Sequence, residues 1–200
     1  MHDTEVGKSG FITALYIVFV PIISLFLGRR GSPLLWAAVA LSLVGLWFLC
    51  IPPEGFTIAA GDLFVLACAV VFSLHILVIG RYVLLVDAVE LSMMQFFCGS
   101  ILAFFAMLAL ESPTWIGWQT ALPAMLWAGI MSNGIAYTLQ IVGQRGMNDT
   151  TSSLILSLES VFSVISGWLI LNEVLSVREG LGCVLMAAAV VLAQLPGNKK

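Results

Sequence analysis

Seven stretches of this chain are each long and apolar enough to cross a lipid bilayer, and they follow one another with only short polar breaks. A helix needs roughly 20 mostly apolar residues to traverse the hydrocarbon core. Runs of about that kind extend from Phe11 to Leu27, from Leu34 to Ile51, and from behind Gly61-Asp62 to Ile79. Others extend from Leu91 to Leu110, Ala121 to Val142, Thr151 to Leu171 and Leu181 to Leu195. The breaks carry Gly, Pro and charge: Gly28-Arg29-Arg30-Gly31-Ser32-Pro33, Pro52-Pro53-Glu54-Gly55, Arg81 to Glu90, Glu111-Ser112-Pro113 and Pro196-Gly197. Asp62 is placed to cap the third helix, and Trp115 and Trp118 suit the headgroup level. The expected fold is therefore all-α, a polytopic transmembrane bundle of about seven helices.

Composition closes off the soluble alternative. Hydrophobic residues make up 60% of the 200 and charged residues 10%, against roughly 25% charged in an ordinary globular domain. The mean hydropathy is +1.08. A net charge of -3 offers nothing to nucleic acid, so the partner is the lipid bilayer. Cys50, Cys68, Cys98 and Cys183 lie in apolar runs, without metal-ligand spacing, and are expected as small core hydrophobes. No metal site and no cofactor are expected.

Cytoplasmic loops retain Lys and Arg, which orients the chain. One side carries Arg29, Arg30, Arg81, Arg145, Lys199 and Lys200, and the other Lys8 and Arg178. The C-terminus is thus expected in the cytoplasm and, with an odd number of spans, the N-terminus outside. The N-terminus has no signal-peptide pattern, so an outside position would be explained if further spans normally precede it. Asn148-Asp149-Thr150 matches a glycosylation sequon, but this orientation puts it in the cytosol, where the match is accidental.

Polar groups within spans are costly and commonly face a bundle interior or a watery cavity. Glu159 lies in the sixth span, about 12 Å from one boundary at 1.5 Å per residue. At ~100° per residue, Ser152, Ser163 and Ser166 project within about 40° of it. It either contacts a solute or carries a coupling proton, or it is an interhelical hydrogen-bond anchor. On the fifth span Asn133, Tyr137, Gln140 and Gln144 recur at spacings of four, three and four, sharing one face if the helix is regular. They line a cavity or glue helices, with Gln144 expected at the interface. Gln95 on the fourth span shares its face with Ser92 and Gly99, and His75 on the third has Ser73 nearby but rotated away. Gln95 could serve packing alone, and His75 either relays protons or is a satisfied hydrogen-bonding residue.

Enzymatic readings find little here. An intramembrane hydrolase needs a nucleophile beside a base or two facing Asp residues. The chain has no GxSxG, its Asp residues fall in the tail and loops, and no P-loop or GxGxxG at a strand-to-helix turn is present.

Residues 10 to 50 overlay residues 154 to 194 as two span-loop-span units. An odd number of spans separates the copies, so the second is inverted, a pattern typical of secondary transporters. The stretches GKSGFITALYIVFVPIISLFLGRRGSP, GDLFVLACAVVFSLHILVIGRY, GIMSNGIAYTLQIVGQR and SLILSLESVFSVISGWLILNEVLSVREGLGCVLMAAAVVLAQLP resemble the drug/metabolite transporter superfamily, specifically its EamA-type permeases. The resemblance covers nearly the whole chain and implies ten spans in two inverted five-helix repeats. On that template residues 1–51 hold the last two helices of the first repeat, 61–195 the complete second repeat and 196–200 a cytoplasmic tail, with the first three helices lacking.

The resemblance also implies residue roles. Glu159 matches the acid of a Glu-Pro pair, with Ser160 where Pro is usual. Asn172-Glu173-Val174 retains only the acid of a Gly-Glu-Arg type loop, and Tyr137 matches an aromatic position after the Gly-rich turn of the fifth span. Family members export amino acids, metabolites and toxic compounds. The expectation is a gradient-driven exporter of small organic solutes in a bacterial-type inner membrane, its cavity between the repeats at mid-bilayer. Glu159, Tyr137, Gln140, Asn133, Gln95 and His75 are the solute-path candidates. The alternative is a transport-inactive remnant or partner subunit, completed by a second copy or by the missing helices.

Overall fold

The computed structural model of the chain describes residues 6–29, 31–51, 60–111, 114–170, 174 and 176–195. The breaks Pro52-Pro53-Glu54-Gly55 and Ser112-Pro113, together with Arg30, Asn172-Glu173 and the tail 196–200, lie outside the described residues. Among the described residues every regular element is a helix, in the order α1 (Val6–Ala14), α2 (Tyr16–Phe26), α3 (Pro33–Cys50), α4 (Ala60–Tyr82), α5 (Ala88–Leu110) and α6 (Trp115–Trp127), then a wide π-helical segment (Ala128–Tyr137), α7 (Thr138–Gln144), α8 (Asp149–Leu156), α9 (Leu158–Ile170) and α10 (Val177–Gln194). Breaks at Leu15 and Ser157 join α1 to α2 and α8 to α9, and the π segment joins α6 to α7. The result is seven rods where seven spans were expected. Among the described residues six are long and apolar enough to cross a membrane. The seventh, running from α6 through the π segment to α7, crosses the expected fifth span with a change of winding.

Local chemistry explains where the helices start and stop. Ser32 accepts a hydrogen bond from the Leu35 N–H at 3.2 Å and Pro33 occupies the first turn of α3, where a missing N–H costs nothing. Ser176 caps α10 by a reciprocal box with Glu179. Asp87 caps α5 four residues before the expected start of that span, and Asn148 caps α8 through the Thr150 N–H at 3.0 Å. The sequon residue therefore has a structural use. Gly28 and Gly146, at φ 78° and 79°, turn the chain out of α2 and α7 in the left-handed region that only glycine enters cheaply.

The chain divides into two compact units, residues 1–78 with 148–200, and residues 79–147. The first is built on α3 and α10, whose residues contribute Ala38, Val39, Leu46, Met186 and Val190 to a core shared with Ile17, Val20, Ile76 and Leu154. These two helices run antiparallel. Ser42 meets Met186, Gly45 meets both Met186 and Gly182, and Gly182 meets Leu49. A Cβ on Gly45 would lie 2.9 Å from Met186 Cγ, and one on Gly182 would lie 2.9 Å from the Gly45 carbonyl oxygen. Glycine is what lets the two backbones touch, the usual solution for helices in lipid, where packing rather than hydrophobic exclusion drives association.

The same pair carries the internal repeat. Overlaying 10–50 on 154–194 shifts numbering by 144, and that shift lays Pro33–Cys50 on Val177–Gln194 and the cap Ser32 on the cap Ser176. It also lays Phe26, the end of α2, on Ile170, the end of α9. Ser42 and Met186, themselves 144 apart, are in contact, with the hydroxyl donating to Sδ at 3.1 Å. Residues at the same place in the two overlaid stretches thus meet where α3 and α10 cross.

The second unit has a smaller core of Ile79, Val83, Ala88 and Ile141, where the start of α5 packs on α7. Two cysteine expectations are corrected: Cys68 and Cys98 are exposed, on α4 and α5, rather than in a core. Their apolar surroundings in the sequence reflect faces that the described residues of this chain do not cover.

Candidate functional site

The six solute-path candidates fall into both units, Glu159 and His75 in the first and Gln95, Asn133, Tyr137 and Gln140 in the second. Glu159 stands in the first turn of α9 and is exposed. Regular winding would align it with Ser152, but the turn at Ser157 intervenes. Ser152 is buried on α8, while Glu159, Ser163 and Ser166 share exposure on α9. The expected stripe is thus divided. Serine hydroxyls in this stretch are spent on the backbone: Ser153 donates to the Thr150 carbonyl at 2.8 Å and Ser157 to the Leu154 carbonyl at 2.6 Å. Such back-bonding bends helices, which accounts for the break. Ser160, standing where the resemblance has proline, instead hydrogen-bonds the Cys50 side chain at the end of α3.

His75 is half-buried on α4 and stacks on Phe72 at 5.9 Å, whose other edge meets Tyr16 at 5.1 Å. This aromatic ladder orients the imidazole from α4 and α2. Ser73 is fully buried and donates to the Ala69 carbonyl at 2.7 Å, so it is committed to its own helix.

In the second unit, Ser92 and Phe96, one turn apart on α5, meet the first residue of α7 and the last of the π segment. The hydroxyls of Ser92 and Thr138 lie 2.6 Å apart, and Phe96 meets Tyr137 edge-on at 5.9 Å. Tyr137 and Gln140 are half-buried, and Gln144, the last residue of α7, is 4% exposed. The Gln140 Nε2 and both amide atoms of Gln144 are buried with no hydrogen-bond partner among the described residues. Buried amides without partners are costly and invite a ligand or water. Asn133 leaves this face: it is exposed within the π segment, whose wider turns rotate the chain less per residue than an α-helix does. Gln95 is half-buried on the Ser92 side of α5. Thr138 was missed by sequence reading; its signal is the Ser92 hydroxyl, which needs a partner once buried.

Together these groups offer hydrogen-bond donors and acceptors on membrane-spanning helices, with one exposed carboxylate. Among the described residues no group of three or more His, Cys, Asp or Glu side chains is arranged to hold a metal ion.

Comparison with known proteins agrees. The model of the EamA-like transporter family matches residues 59–195. An uncharacterized transporter from Archaeoglobus fulgidus is 31% identical over an alignment covering 96% of this chain and 61% of the relative. The chain therefore spans about three fifths of the length of the curated relative it matches. A crystal structure of a protein superposes with a TM-score of 0.79 at 22% identity, covering 97% of this chain and 69% of that one; the likeness establishes the fold. With its membrane-length apolar helices, this chain is an integral membrane protein belonging to the EamA-like transporter family.

Proposed function

We propose that the chain works in a secondary transporter that exports small organic solutes, such as amino acids, other metabolites or drugs, driven by an ion or proton gradient. The family match across residues 59–195 carries this reading. It is supported by polar groups at mid-span that lipid would not tolerate uncovered, above all Glu159 and Asn133. The sequence carries no ATP-binding loop, which favours a gradient as the energy source. Residues 1–51 are read as two helices of one repeat and 61–195 as a complete second repeat. The extent of the family match and the shared helix bounds of α3 and α10 support that division. The excess of Lys and Arg on one side favours a cytoplasmic C-terminus, in a bacterial-type inner membrane.

Within this reading Glu159 is the coupling group, and Tyr137, Gln140 and Gln95 contact solute, with Asn133 and His75 assisting. Each set acts within its own unit. The test is efflux of candidate solutes from cells or liposomes across a range of pH. Glu159→Gln is expected to abolish gradient-driven efflux while leaving downhill exchange measurable. Transport with unchanged rate and unchanged pH dependence in that variant would remove the coupling role.

A further inference from the structure

In the first unit, Arg29 behind α2 forms an ion pair with Asp149, the first residue of α8. The two are 120 residues apart in sequence, and they are unequally placed: the Arg29 side chain is 49% exposed and that of Asp149 is 7% exposed. A buried carboxylate is expensive to leave without its cation, so the pair holds the end of α2 against the start of α8. Beneath it lies a small cavity of about 20 Å³, lined by Pro21, Ser24, Leu35, Trp36 and Thr150 as well as the pair itself. That is room for about one water molecule and for no organic solute. The Ser24 hydroxyl lines the cavity, 6% exposed, with no hydrogen-bond partner among the described residues. The pair thus stands over a buried hydroxyl that has room for about one water beside it.

The far end of α3 is held differently. Arg178 of α10 reaches the Trp47 carbonyl at 3.5 Å and places its guanidinium 5.7 Å from the Phe48 ring centre. Between α3 and α10 the backbones meet at Gly45 and Gly182, with the Met186 and Leu49 side chains seated on the two glycines.

We infer that the Arg29–Asp149 pair is a latch that seals one end of the first unit and that its release admits water to Ser24. The place of this latch in a transport cycle rests on the transporter reading above; its existence does not. The test uses the full chain in lipid nanodiscs, with the four native cysteines replaced and Ser24→Cys introduced, labelled by a membrane-impermeant maleimide. With the pair intact, the thiol is expected to label slowly. Arg29→Gln, made at a half-exposed position that tolerates change, and Asp149→Asn are each expected to speed labelling about tenfold, the shift that a charge pair of moderate strength commands. The exchanged pair Arg29→Asp with Asp149→Arg is expected to restore slow labelling, which a purely steric role would not. Labelling unchanged in Arg29→Gln overturns the latch, as does an exchanged pair that labels as fast as the single variants. If labelling behaves as expected and no solute is transported, the latch stands and the transporter reading falls.

Discussion

At the scale of single residues, this protein depends on the absence of side chains in two places and on well-placed hydroxyls elsewhere. Gly45 and Gly182 allow the contact on which the first unit is organised. Gly45→Leu is expected to lower stability in detergent by about 1–3 kcal/mol or more, the usual cost of overpacking, read as a fall in Tm or in the denaturant midpoint. Val44→Leu, next along α3 but 48% exposed, is expected to change it little. Equal effects at the two positions would contradict the crossing. Nothing in the sequence marked these glycines, because glycine is common in membrane helices and only the partner helix shows which one is at a contact. Glu159, by contrast, stands out in the sequence as the one carboxylate well inside an apolar run. Its alignment with Ser152 was not, because a turn at Ser157 breaks the regular winding that the alignment assumes.

At the scale of elements, the rod from α6 to α7 departs most from a uniform helix. Ten consecutive residues, Ala128–Tyr137, wind with π geometry, where single wide turns are the common case and often mark functional sites. The segment contains Gly129, Ser132, Asn133 and Gly134, which favour other conformations over an α-helix. It ends where Tyr137 and Thr138 are held by Phe96 and Ser92. Amide hydrogen exchange in nanodiscs is expected to be faster across Ala128–Tyr137 than across the flanking turns of α7, because wide turns bond less well. Uniform protection along the rod would show that the segment is as stable as its neighbours. Periodicity could not have revealed this winding. The spacing of Asn133, Tyr137 and Gln140 fits a regular helix, and it is the exposure of Asn133 beside half-buried Tyr137 that separates them.

At the scale of the whole molecule, charge asymmetry and the inverted pair make a joint demand. If α3 and α10 are copies related by a two-fold axis near Ser42 and Met186, they cross the bilayer in opposite directions, as their antiparallel contact has it. The Lys and Arg excess then sets which end is cytoplasmic. A green fluorescent protein fused to the C-terminus is expected to fluoresce, and alkaline phosphatase fused there to be inactive; the reverse result would invert the orientation. Arg178, which counts against this orientation in a tally of charges, is committed to the Trp47 carbonyl and the Phe48 ring, so its position follows from packing.

The sequence by itself determined that this is an all-helical membrane protein, because the length and hydropathy of a span answer to the bilayer and not to neighbouring helices. It also pointed to the family through linear stretches of sequence, but the one cap it named, Asp62, lies inside the first turn of α4, while Ser32, Asp87, Asn148 and Ser176 are the residues that cap. Tertiary structure alone decided which small residues meet, which serines are spent on their own backbone, and that Arg29 belongs to Asp149. Those outcomes depend on residues more than a hundred positions apart being brought within a few ångströms, and on departures from regular winding that a spacing rule averages away.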